Sequence, residues 1–93
     1  MNQRAAFNET VKIAYESEMP MGEPDDPFSL AHLIYMQERI TPEFSDAKLG
    51  RWLGWAQAAL VVAGVGFGLE DVKQINLRHA GQERGNSRME ADK

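Results

Sequence analysis

At 93 residues and a net charge of −4, with 43% hydrophobic and 26% charged residues, the sequence is that of one globular domain, not two domains and not a disordered chain. A chain this short buries roughly 60% of the surface its unfolded form exposes, which supports one core and leaves little room for a deep cleft. The absence of cysteine excludes disulfides, thiolate nucleophiles and sulfur-ligated zinc, and the acidic balance argues against a general phosphate-backbone binder.

The N-terminus, Met1-Asn2-Gln3-Arg4, is not followed by the apolar stretch of a secretory signal. From Asn2 to about Ser17, Phe7, Val11 and Ala14 recur at helical spacing with Ala6 and Tyr15 beside them, which predicts an amphipathic helix. Residues 18–27 hold Pro20, Pro24 and Pro27 and no basic residue, so they predict an acidic loop, open to disorder in the unbound chain. Asp26 as cap and Pro27 at the first helical position predict a second helix, with Phe28, Leu30, Ala31, Leu33, Ile34 and Ile40 as its apolar face, ending near Ile40. Thr41-Pro42 and Ser45-Asp46 are rival starts for a third helix, which runs over about 46–63.

In that third helix Leu49, Trp52, Leu53, Ala56, Leu60 and Ala63 share one face, while Trp55, Val61 and Val62 lie elsewhere. A helix apolar nearly all round is either central or carries a second contact surface. Gly50, Gly54 and Ala58 form a stripe without bulk, suited to close packing within the fold or between two copies in a homodimer. Gly64, Gly66 and Gly68 punctuate its end, and Phe67 with Val72 predicts a hydrophobic staple. A fourth helix is expected from Leu69 to about His79 with Leu69, Val72 and Ile75 inward, Glu70 and Asp71 in its first turn, and Arg78 and His79 in its last. The resulting fold class is all-α, a small bundle of three to four helices around a long central helix, with residues 1–80 as a single domain and 81–93 as a flexible polar tail.

The sequence offers no set of catalytic, cofactor-binding or metal-ligating residues. Neither a nucleophile-elbow motif nor an H-E-x-x-H motif is present, and His32 and His79 fall on different helices. Ala59 to Gly68 imitates a glycine-rich nucleotide loop, but Leu69 stands where the third glycine belongs. The uncharged run 52–69 just reaches the shortest bilayer span, roughly 18 residues, so a single-span membrane protein is one alternative; Gln57, four glycines and the surrounding soluble-helix signals oppose it. The other alternative is a small helix-turn-helix-like, DNA-binding or transcription-modulating protein over 46–79. Glu70 and Asp71 oppose that reading, because they stand in the turn that would face phosphate; Lys73, Arg78, Arg84 and Arg88 come later.

Arg51-Trp52-Leu53-Gly54-Trp55-Ala56-Gln57, followed by an apolar stretch and then Leu69, Val72, Lys73, Asn76, Arg78 and His79, resembles a segment of small accessory proteins of tailed bacteriophages and prophages. The resemblance covers about the C-terminal half. It implies a non-enzymatic viral protein, cytoplasmic in a bacterial host, that binds a host protein or a defence or nucleic-acid-processing complex and inhibits or modulates it during host takeover. Two sets of residues are the candidates for protein binding. Trp55 lies away from the face that packs the core, Arg51 one turn earlier can lie over its indole, and Val62 extends the same side; core burial of Trp55 is the competing reading. Glu23, Asp25 and Asp26 form the second set, either a phosphate-mimicking patch or a solvated loop.

Overall fold

Local signals in the chain select four helices, joined by loops, in the computed structural model, which describes residues 1–81: α1 (Gln3–Glu16), α2 (Leu30–Arg39), α3 (Asp46–Val62) and α4 (Leu69–Ala80). The all-α bundle is therefore as the periodicity predicts, with no strand among the described residues. The expected tail, from residue 82 on, lies outside the described residues, as do Arg84 and Arg88. Each of the first three helices begins with a side-chain oxygen that accepts an otherwise unpaired N–H. Asn2 accepts from Ala5 N–H, Ser29 from His32 N–H and Ser45 from Lys48 N–H. At α4, Gly68 has no side chain to offer, and Asp71 reaches back instead to accept the Gly68 N–H at 2.8 Å.

Of the two helix starts in question, one choice between rivals is decided and one boundary differs from the sequence reading. Ser45, not Thr41, starts α3. The cap of α2 is Ser29, not Asp26, so Pro27 and Phe28 lie in the loop, where the Asp26 carboxylate accepts the Phe28 N–H in a local turn. Phe28 consequently leaves the apolar face assigned to it and is half exposed.

The helix that organises the bundle is α1, although α3 is longer. α1 packs against all three others and most extensively against α3. Its inward stripe, Ala6, Phe7, Thr10, Val11 and Ala14, is mostly small, so neighbours approach closely around the one large ring of Phe7. Thr10 is fully buried and satisfied by donating its hydroxyl to the Ala6 carbonyl at 2.8 Å. α3 contributes Leu49, Leu53, Ala56, Ala59 and Leu60 to the same core. Gln57 is buried with them and donates to Asn76 Oδ1 of α4 at 2.9 Å. The uncharged run 52–69 does not continue as helix: Gly64 and Gly66 turn the chain at positive φ, +70° and +90°. Among the described residues no helix is long and apolar enough to cross a membrane.

α4 buries a single residue, Ile75. Leu69, expected inward, is 79% exposed, because the Gly68 cap places it at the outer edge of the first turn. Phe67 enters the core, and Val72 is partly buried against that core. Polar contacts supply the rest of the docking: Glu9 of α1 accepts from the Arg78 guanidinium and lies 2.8 Å from His79 Nε2, and the Asn2 N–H donates to the His79 carbonyl. The hydrogen bond from Arg78 holds the Glu9 carboxyl below its ordinary range; partial burial opposes that shift and the bond to His79 adds to it. A carboxylate depressed in the folded state stabilises the fold above its unfolded value and loses that contribution as pH falls through the folded value. α4 is therefore expected to loosen below the ordinary carboxylate range, with amide exchange rising first over residues 69–80. Glu9→Gln should flatten that acid response, and identical acid profiles for the two proteins would contradict the assignment.

Candidate functional site

The acidic loop between α1 and α2 is ordered by the backbone of α2 itself. Leu30 N–H donates to the Pro20 carbonyl and Ala31 N–H to the Met21 carbonyl, so the first turn of the helix spends its unpaired donors on the loop. The Ser29 hydroxyl, almost fully buried, sits 2.7 Å from the Glu23 carbonyl and 2.8 Å from the Asp26 carbonyl while accepting from His32 N–H. His32 Nδ1 lies 2.7 Å from the Pro24 carbonyl; a carbonyl only accepts, so this nitrogen carries the proton. These bonds leave no need for the disorder that the proline content allows. Glu23, Asp25 and Asp26 are thereby held exposed on a fixed backbone.

Gly22 is the residue that permits this closure. Its φ is +58°, and an added Cβ would come 2.5 Å from Ser29 Cβ. Gly22→Ala is expected to open the loop at a cost of about 1–3 kcal/mol. Faster amide exchange at Leu30 and Ala31 would report the opening; exchange and thermal midpoint unchanged from the parent would contradict it.

The loop ends against Trp55. The indole Nε1–H donates to the Pro27 carbonyl at 3.2 Å, and the Phe28 and Trp55 rings lie 5.2 Å apart, tilted by 37°. Trp55 is 39% exposed and Phe28 50%, so the pair is a surface feature and not core. From it a groove of about 360 Å³ runs between α2 and α3, lined by Pro27, His32, Tyr35, Met36, Trp52 and Trp55. His32 stacks on Tyr35 at 6.0 Å. Beyond Trp52 the wall continues as Phe44, edge-on to Trp52 at 4.9 Å. Cations close that end: the Arg39 guanidinium lies 4.3 Å over Tyr35, and Lys48 Nζ lies 4.3 Å over Phe44 and 5.7 Å over Trp52. A larger hollow of about 570 Å³ lies on the other side of the loop, among Tyr15, Glu16, Glu18, Met19 and Met21, but it has no cluster of rings.

The structure brings together two sets of residues that the sequence kept apart, Trp55 and the acidic loop. It separates others. Arg51 is exposed and makes no ring contact among the described residues; the cation–ring pairs belong to Arg39 and Lys48. Val62, 68% exposed, lines a different shallow groove with Gly54, Ala58, Val61, Leu69 and Val72. The stripe of small residues is only partly a packing device. A Cβ on Gly50 would come 2.7 Å from Gln3 Oε1, whereas one on Gly54 would meet nothing within 4 Å. Gly54 therefore has no close-packed neighbour and borders the shallow groove that Leu69 and Val72 of α4 also line. Sequence reasoning missed Tyr35, Arg39, Phe44 and Lys48. Their aromatic and basic side chains sit at i, i+4 spacing, 35 with 39 and 44 with 48, a readable signal once two helices are known to meet. Among the described residues no group of three or more His, Cys, Asp or Glu is placed to hold a metal ion. No family model, no curated protein and no solved structure matches this chain.

Proposed function

We propose that this chain is a non-enzymatic binding protein that docks on another protein through the aromatic groove between α2 and α3. The observation that carries the reading is the exposed Phe28–Trp55 pair, fixed by the hydrogen bond to Pro27 at the mouth of that groove. Large rigid rings, half exposed and held by their own hydrogen bonds, give contact area at low entropic cost and dominate binding energy at interfaces. The Asp26 carboxylate, which accepts the Phe28 N–H, and the exposed Glu23 and Asp25 of the same loop supply charge for orientation. A bacterial host and a role as inhibitor or modulator of a host protein or defence complex rest on the likeness of residues 51–79 to phage accessory proteins.

One observation favours a second reading. Arg39 and Lys48 beside Tyr35, Phe44 and Trp52 form the basic, ring-bearing pattern on which single-stranded nucleic acid can stack. The acidic loop at the other end of the groove would repel such a strand, and the net charge is −4. Capture from bacterial lysate with the tagged chain is expected to retain a defined protein, and gel shifts with single- and double-stranded DNA at moderate salt are expected to be blank. Sub-micromolar, salt-sensitive DNA binding with no retained protein would reverse the order of the two readings.

A further inference from the structure

The charge of this chain is concentrated in one region. Residues 13–31 hold Glu16, Glu18, Glu23, Asp25 and Asp26 and no cation, whereas the rest of the sequence carries nine acidic and ten basic residues and nearly balances. Two of the five carboxylates, Glu16 and Glu18, line the hollow of about 570 Å³ at the end of α1, and no basic residue lines it. The rest of its lining includes the Tyr15 ring, 67% exposed, and Met21, 51% exposed, with Met19 and Leu30 of the core beneath. Backbone bonds set where the carboxylates start: Glu18 N–H donates to the Tyr15 carbonyl and Met19 N–H to the Ala14 carbonyl, closing the helix with Glu18 at φ +62°. The last turn of α1 has no basic residue, so nothing on the helix offsets the negative end of its dipole. Lys12, the nearest cation along the chain, stands one turn before Glu16, does not line the hollow and makes no ion pair. Arg4 lies at the opposite end of α1, and Arg39, Lys48 and Arg78 are engaged over Tyr35, over Phe44 and on Glu9.

A hollow with an apolar floor, an open ring and two carboxylates matches the chemistry of a long cationic side chain. Lysine and arginine carry a charged head on an aliphatic stem, so the stem can cover the methionines and leucine while the head stays with the carboxylates or over the ring. Phosphate, of a nucleic acid or of a lipid, is repelled by the same carboxylates. We infer that this hollow docks a basic segment of a partner protein, in which lysine or arginine is interspersed with apolar residues. The site does not rest on the aromatic groove between α2 and α3, because no residue that lines the one lines the other. It supplies a second contact, selected by charge, on the same molecule.

Titration of a short synthetic peptide of leucine, lysine and arginine into the isotope-labelled full chain tests the site. At low salt the amide signals of residues 15–21 and Leu30 are expected to shift, and binding should weaken at high salt. Glu16→Gln with Glu18→Gln should bind the peptide about tenfold or more weakly, and Tyr15→Ala should also weaken it. Glu43→Gln with Glu70→Gln removes the same charge elsewhere and should bind as the parent does. All these positions are exposed, and unchanged helical circular dichroism and thermal midpoint certify that each variant folds. Trp55→Ala is also expected to bind the peptide as the parent does, so the aromatic docking face can fail while this site stands. No shift at low salt would overturn the inference. So would equal weakening by the two glutamine pairs, which is general attraction, or shifts centred on Trp52 and Trp55. Spermidine, a cation without apolar side chains, should shift the same amides far less; an equal effect would overturn a protein segment as the occupant.

Discussion

Phe7→Ala is expected to cost about 3–5 kcal/mol and to leave much of the protein unfolded at physiological temperature. Phe7 is fully buried, and it is the one large ring in the stripe by which α1 meets the other three helices. Its flanking inward residues are Ala6, Thr10, Val11 and Ala14, too short to collapse into the space the ring would leave. A domain of this length has a total stability of about 5–14 kcal/mol, so one such cavity removes a large part of it. The check is thermal or urea unfolding of the variant beside the parent. A midpoint within a degree or two of the parent would show that α1 is not the element that ties the bundle together. Leu60→Ala, equally buried but on α3, is the natural companion; its loss should be smaller, at about 2–5 kcal/mol, in line with the smaller side chain.

Trp55→Ala should behave in the opposite way. The indole loses its ring contact with Phe28 and its hydrogen bond to the Pro27 carbonyl, both near the surface. The stability cost is then about 1–2 kcal/mol, well short of the loss a core tryptophan brings. Partner affinity should fall by about 2 kcal/mol or more, roughly thirtyfold, the scale of a central interface residue. Phe28→Ala should follow it at smaller magnitude. A thermal melt and a binding measurement on the same sample separate the two effects. A drop of several kcal/mol in stability, with affinity unchanged in the fraction that remains folded, would place Trp55 in the core and remove it from the docking face.

The helices were legible because their ends and inner faces are written locally. Ser45 followed by Asp46, and Gly68 followed by Glu70 and Asp71, are start signals that act within a few residues, and Leu49, Leu53, Ala56 and Leu60 mark an inward stripe by spacing alone. Asp26-Pro27 misled because it is an equally good local start. Ser29 won because its hydroxyl could also bind the Glu23 and Asp26 carbonyls, a gain visible only once the loop closes through Gly22. The hub role of α1 was hidden for a related reason: α3 has the stronger hydrophobic run, but α1 has the small residues that let three helices reach it. The exposure of Trp55 followed from its angle on α3, whereas its partner Phe28 could not be placed until the start of α2 was known. Tyr35, Arg39, Phe44 and Lys48 were missed because each lies on a segment that looks solvent-facing when taken alone. Only the groove that α2 and α3 border together brings them onto one surface.

The docking face is tested most directly by photo-crosslinking from within it. A photoreactive phenylalanine placed at Tyr35, in the middle of the groove, is compared with the same group at Leu77, exposed on α4 and away from the groove. Irradiation in bacterial lysate is expected to join the Tyr35 position to a defined protein, and to do so far more than the Leu77 position. Equal labelling from both positions, or labelling from Leu77 alone, would contradict the assignment of this groove as the docking face.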